Sequence, residues 1–224
     1  MKNVLKIISL VMVFALALCA CSNATYTTSS SDADTALSQE TNGSNAVVTE
    51  KEEKIQSSES GNLVKFTMEN GGSFIIELYP QYAPETVENF KNLVATGFYD
   101  GLTFHRVIEG FMAQGGDPEG TGFGGSDKTI KGEFKANDFI ANTLSHTRGV
   151  VSMARSTDYD SASSQFFICY DDASFLDGDY AAFGKVIEGM EVVDAFLEIE
   201  RRYNGGELSV PVEPIVIESA VVVE

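Results

Sequence analysis

Basic and metal-binding side chains are scarce in this chain of 224 residues. Its 15 Lys and Arg stand against 33 Asp and Glu, a formal net charge of −18. Binding nucleic acid through phosphate neutralisation needs clustered cations, and no such cluster occurs. Only two histidines are present, His105 and His146. They form no His-Glu-x-x-His pattern, and with a single thiol in the same region they make a poor zinc set. Asp177-Gly178-Asp179 lacks the regularly spaced carboxylates of a calcium loop. The glycines of Gly115-Gly116 and Gly120 to Gly125 are followed by no Gly-Lys-Ser/Thr and no helix, which excludes a nucleotide cradle and leaves turn geometry to explain them. Ser152, Ser163 and Ser164 lie outside any Gly-x-Ser-x-Gly elbow, so acyl transfer has no starting point. Cys169, within QFFICY, reads as a small buried hydrophobe. No metal and no cofactor are expected.

Long apolar runs are also few. Ile7 to Ala20 is nearly unbroken, but it is short of the about 20 residues a span requires. With Lys2 and Lys6 ahead of it, the run suits a secretory signal over residues 1–20. Its end, Leu18-Cys19-Ala20-Cys21-Ser22, resembles a bacterial lipobox, with Cys21 the expected lipidated residue and Cys19 the poorer fit. An ordinary cleaved signal, or a poorly anchored span, is the alternative. Several acyl chains on Cys21 anchor a protein stably where one holds only marginally, and Cys169 would be left as the one free thiol, excluding a disulfide framework. Residues 21–62 are rich in Ser, Thr, Asn and acidic side chains, with almost no aromatics. Such a stretch cannot bury enough apolar surface to offset its ordering entropy, and it reads as a flexible tether.

From Leu63 to the C-terminus the pattern is that of one folded domain, residues 63–224. Val64 to Met68 alternates, Asn70-Gly71-Gly72 is a hairpin turn, and Ser73 to Tyr79 returns as a second strand. Pro84 suits a first helical position. Val87, Phe90, Leu93 and Val94 follow at helical spacing, with Gly97 just past the end. A second helix is predicted over Met190–Ile199, with Val192, Val193, Phe196 and Leu197 on one side. Further strands are predicted near Thr103–Val107, Phe111–Gly115, Gly149–Ala154, Gln165–Tyr170 and Ala181–Val186, and a last one over Pro214–Val223. The fold class is mainly β: about eight strands and two capping helices, compatible with closure into an antiparallel barrel. Asp117 to Lys135 is expected to form an ordered loop beside a site.

That site centres on FHRVIEGFMAQGGD, Phe104 to Asp117. Alternation suggests two strands joined at Glu109-Gly110, with Arg106, Phe111 and Gln114 bordering one apolar concavity. A cation there either snorkels over a sheet edge or has a chemical task.

FHRVI with GFMAQGGD, then GVVSMARS, SSQFFICY and FLDGDYAAFGKVIEGM in that order, resembles the cyclophilins, peptidyl-prolyl cis-trans isomerases built on a closed antiparallel β-barrel. SDKTIKGEF and HTRGVVSMARS are most similar to the short bacterial type. The resemblance implies catalysis of rotation about Xaa–Pro bonds, with Arg106 donating to the twisted amide nitrogen and Gln114 holding both Arg106 and the substrate backbone. It implies a proline pocket of Phe111, Met112, Phe167 and Leu176. Ala154 and Arg155 would line the path of the substrate backbone, and Phe104, Phe175 and Tyr180 complete the expected substrate-binding set. Phe166 faces away, into the core, by strand alternation.

Three positions depart from the family's familiar residues. Phe175 stands where many members carry Trp, Tyr180 where the better-known members carry His, and Arg155 where Asn is usual. Cyclosporin binding is therefore expected to be weak, and Arg155 to add charge beside the pocket. The expected partners are proline-containing peptides and unfolded exported proteins, with the membrane reached through the lipid anchor and no nucleic acid. The expected location is outside the cytoplasm, lipid-anchored to the bacterial cell membrane, and the expected state a monomer. The alternative is a non-catalytic proline-peptide binding module or a holdase on the cell surface.

Overall fold

Alternation in β1 (Leu63–Met68) and β2 (Ser73–Leu78) turns Val64, Phe66 and Met68, and Phe74, Ile76 and Leu78, to one buried face. The two strands pair antiparallel across the expected turn. There the Asn70 side chain accepts the Gly72 N–H at 2.9 Å and Gly71 takes a positive φ of 85°. The computed structural model describes residues 61–224; the signal, lipidation and tether expected for residues 1–62 fall almost wholly outside the described residues.

The remaining strands are β3 (Thr103–Ile108), β4 (Met112–Asp117), β5 (Val150–Met153), β6 (Phe166–Cys169), β7 (Ala182–Glu188), β8 (Arg201–Asn204), β9 (Glu207–Pro211) and β10 (Ile217–Val223). Eight of them form one antiparallel sheet in the order β10-β1-β2-β7-β5-β6-β4-β3. The sheet curls around a core in which Phe66, Phe90, Tyr99 and Phe166 meet at centroid separations of 5.2 to 6.2 Å.

The closed barrel expected from the sequence is corrected here to a curled sheet with a partial seam. Its end strands β3 and β10 share no ladder. They are joined by the single bridge Thr103–Val216 and by backbone hydrogen bonds at Gly101, Phe104 and Ile217. Beyond the bridge the β3 edge meets β8 and β9 instead: Arg201 donates to the Val107 carbonyl and Arg106 to Glu207. This separate hairpin was not anticipated, because Arg201 to Pro211 carries neither an apolar run nor strict alternation.

α1 (Pro84–Ala95) begins with Pro84 and buries Val87, Phe90 and Val94. Its end is a Schellman turn, with Phe98 N–H on the Leu93 carbonyl, Gly97 N–H on the Val94 carbonyl, and Gly97 at φ 68°. Its start has no side-chain cap from Ala83. Glu133, from a loop 47 residues away, takes that place: its carboxylate accepts the Thr86 N–H at 2.8 Å, the Thr86 hydroxyl at 2.7 Å and the Glu85 N–H at 3.0 Å. A buried carboxylate satisfies orphan donors at the positive end of the helix. The second helix is shorter than predicted. α2 (Met190–Asp194) tightens into a 3-10 turn over Ala195–Glu198, as helix ends commonly do. Val193 and Phe196 are buried there.

Replacing Glu133 by Ala strands two backbone N–H groups and a buried hydroxyl. The expected cost is about 2–3 kcal/mol, or roughly 4–12 °C in Tm for a domain of this size. Thermal unfolding followed by circular dichroism checks it, and an unchanged Tm would show that the helix start is satisfied otherwise.

Candidate active site

Cross-strand pairing assembles the site as a row. Arg106 of β3 faces Gln114 of β4, Gln114 faces Phe167 of β6, and Phe167 faces Ser152 of β5. Directly paired residues leave a sheet on the same side, so this row occupies the outer face, opposite the core. Beside it Met112, Phe167, Cys169 and Ala173 form a second apolar cluster, with Phe111, Ala154, Leu176 and Tyr180 packed against it. Phe166, one residue from Phe167, points into the main core.

Phe104 is a correction to the expected substrate-binding set. It pairs with Gly115 whereas Arg106 pairs with Gln114, so β3 advances two residues while β4 advances one. His105 is the extra residue of a bulge. The bulge puts Phe104 on the face opposite Arg106, where it is 1% exposed and packs on Phe74, Phe166 and Phe196. Simple alternation, which the bulge interrupts, would put Phe104 beside Arg106.

The outer face holds a cavity of about 130 Å³ lined by Phe111, Met112, Phe167, Leu176, Tyr180 and Ala154, with Arg106, Gln114 and Arg155 at its polar rim. A second cavity of about 300 Å³ adjoins it and shares Gln114, Ala154 and Arg155, with Gly122 to Gly124 on its far side. The smaller one carries the apolar walls. Phe175 lines neither; it is 70% exposed and lies tilted against Phe111, ring centroids 5.7 Å apart. Tyr180 meets Phe167 edge-on at 6.0 Å.

Arg106 is held from two sides. Its Nε and Nη2 donate to the two carboxylate oxygens of Glu207 at 2.8 and 2.7 Å, and Nη1 donates to Gln114 Oε1 at 3.2 Å. Gln114 Nε2 donates in turn to Gln165 Oε1 at 2.8 Å, and Gln165 Nε2 to the Gly124 carbonyl at 2.7 Å. The Arg106 guanidinium keeps the Glu207 carboxyl below its usual range. A guanidinium has five N–H donors; with three engaged, two remain for a ligand. Glu207 and Gln165 were not singled out from the sequence. Gln165 lies within the SSQFFICY motif, but Glu207 has only an Asn-Gly-Gly turn before it as a signal.

Arg155 is restrained too. Its guanidinium lies 5.1, 4.9 and 4.7 Å from the ring centres of Phe134, Tyr159 and Tyr180, and it donates to the carbonyls of Asp179 and Ser156. The loop beyond β4 is gathered around Asp117, whose carboxylate accepts N–H groups of Glu119, Thr121 and Gly122 at 2.6 to 2.9 Å. Burial alone would raise the pKa of this carboxyl, but the backbone donors outweigh it and hold it below the usual range. Gly116 is required where the loop departs: at φ 82° a side chain there would meet the Ser164 carbonyl at 2.5 Å.

Behind the pocket, His146 Nδ1 lies 2.8 Å from Asp177 Oδ1 and its Nε2 lies 3.0 Å from Ser152 Oγ. The connectivity is that of a Ser-His-Asp triad. Ser152 and His146 are fully buried, however, and no acyl group can reach the hydroxyl. The chain instead supports the pocket floor, since His146 stacks on Phe167 at 6.0 Å and Asp177 follows Leu176. Cys169 is equally unreactive, its thiol pushed by burial up to about 12. Among the described residues no three His, Cys, Asp or Glu side chains cluster as metal ligands.

Burial holds the His146 imidazole below its ordinary pKa despite the Asp177 carboxylate. The unfolded chain therefore binds a proton that the folded chain refuses, and stability must fall as pH drops below about 6.5. Between pH 7.5 and 5.5 the Tm of His146→Gln should decline less steeply than that of the wild type. Parallel slopes would remove His146 as the source.

A family model described as cyclophilin type peptidyl-prolyl cis-trans isomerase matches residues 63–222. The peptidyl-prolyl cis-trans isomerase B of Bacillus subtilis is 48% identical over 126 residues, covering 56% of this chain and 84% of its own. Peptidyl-prolyl cis-trans isomerase A of Dickeya dadantii is 42% identical over 160 residues, covering 69% and 82%. A cyclophilin-type isomerase of Cryptosporidium parvum, solved in the presence of the dipeptide Ala-Pro, superposes with a TM-score of 0.62 at 32% identity, covering 72% of this chain and 99% of that one. With this fold, this outer-face row and these relatives, the chain belongs to the cyclophilin-type peptidyl-prolyl cis-trans isomerases.

Proposed function

We propose that the chain accelerates rotation about Xaa–Pro bonds at the Arg106 cavity. The observation that carries this reading is a guanidinium with two uncommitted donors at the rim of an apolar cavity of about 130 Å³. Amide resonance resists the rotation by roughly 18–20 kcal/mol. As the bond twists, the nitrogen pyramidalises and gains a lone pair that a planar amide lacks. A donor aimed at that lone pair strengthens only in the transition state, which is the condition for raising kcat. Phe111, Met112, Phe167 and Leu176 would hold the proline ring, and Gln114 the substrate backbone. Arginine suits the task because it stays charged and its donors form a rigid fork. No nucleophile, metal or cofactor enters the step.

In the same reading the domain acts outside the cytoplasm as a monomer, tethered to the cell membrane through Cys21, on exported chains whose Xaa–Pro bonds otherwise exchange over about 10–100 s. What supports the location is the sequence Leu18 to Ser22 after a positively charged apolar run.

NMR exchange on a short Xaa–Pro peptide tests the activity, using Arg106→Ala beside the wild type. A fall of about 10²–10³ in kcat/KM is expected, with Arg106→Lys rescuing little because a point donor does not replace the fork. A folded wild type that binds the peptide without speeding exchange would make this a binding module. Cys21→Ser in the full chain should move the protein from the detergent phase to the aqueous phase on partitioning. Unchanged partitioning would sink the lipid anchor.

A further inference from the structure

The hairpin β8–β9 adds no strand to the main sheet, yet one of its side chains makes the closest polar contacts of Arg106. Glu207 grips the Nε/Nη2 edge of Arg106 with both oxygens, at 2.8 and 2.7 Å. The two donors left free are one N–H of Nη1 and one of Nη2, next to the edge that Glu207 holds. Gln114 alone, through one bond of 3.2 Å to Nη1, would leave the plane free to swing about that contact. Two parallel bonds to a carboxylate fix the plane as well as the position. The side chains of Arg106 and Glu207 are 36% and 39% exposed, and an ion pair this open to water adds little to stability. Its geometric effect is another matter, because the guanidinium must meet a lone pair that exists only part-way through the rotation. Ser209, the next residue on the same side of β9, is 1% exposed, which seats the strand beneath Glu207.

We infer that Glu207 is a positioning residue for the isomerase reaction, orienting Arg106 so that its Nη1/Nη2 edge is presented to the proline cavity. The hairpin is thereby part of the catalytic apparatus although it touches no substrate. This inference rests on the isomerase reading above. It makes Glu207 a helper of Arg106 and not a competitor, since the carboxylate occupies the edge that faces the hairpin.

The test is a double-mutant cycle on peptide exchange, with Tm measured for every variant to confirm folding. Glu207→Ala should lower kcat about tenfold, the equivalent of one lost orienting contact, while KM moves within about twofold because proline binding is untouched. Glu207→Gln, which keeps the shape and one acceptor, should recover part of the loss. In the Arg106→Ala background, Glu207→Ala should cost nothing further. The Arg106 Nε–H resonance should be sharp and slowly exchanging in the wild type and lost to exchange in Glu207→Ala. A Glu207→Ala enzyme with wild-type or higher kcat overturns the inference while leaving the isomerase reading intact, and so does an equal loss in both backgrounds. A folded wild type without activity overturns both.

Discussion

The pairing of β4 with β6 is the constraint on which site and core alike depend. Side chains on adjacent residues of a strand leave opposite faces, so one register decides two populations at once. With Gln114 set against Phe167 and Gly115 against Phe166, Phe166 joins Phe66, Phe90 and Tyr99 inside while Phe167 walls the outer cavity. A slip of one residue would turn Phe167 inward and Phe166 outward, with Ile168 and Cys169 exchanging faces likewise, so neither side would keep its packing. The register is secured from the inside by the buried face and at one end by Ser164, whose hydroxyl donates to the Gly116 carbonyl at 2.7 Å and whose own carbonyl accepts the Tyr99 hydroxyl at 3.1 Å.

Polar groups at the rim are organised by the same economy of paired donors and acceptors. The sequence Glu207–Arg106–Gln114–Gln165–Gly124 carbonyl is continuous and joins the hairpin, the sheet and the glycine-rich loop. Each amide both donates and accepts, so neither glutamine can flip without breaking two contacts. Arg155, on the other side, is bound to carbonyls and rings, which fixes its cation near the cavity rim.

Much of this was legible in the residues because it follows from period and local chemistry. β1, β2 and α1 declare themselves through alternation, a hairpin turn, a proline start and a glycine stop. That Phe166 and Phe167 face opposite ways follows from alternation; which of the two walls the pocket came from the resemblance. What escaped has a physical reason in each case. The bulge at His105 inserts a residue that no pattern marks, and it reversed Phe104. Glu133 caps α1 from 47 residues away, and local capping rules see only the uninformative Ala83. β8 and β9 alternate weakly because their surroundings are mostly solvent, so Glu207, 101 residues from Arg106, gave no sign of meeting it. The seam is partial for a related reason, since the hairpin stands where further pairing of β3 would lie.

The buried chain Ser152–His146–Asp177 separates connectivity from reactivity. A hydrolase triad is usually recognised by the distances between a serine oxygen, an imidazole and a carboxylate, and those distances are present here. What is missing is a path by which an electrophile could arrive. A fluorophosphonate offered to the folded protein would not reach Ser152, because a hydroxyl activated by its neighbours reacts only with an electrophile that can touch it.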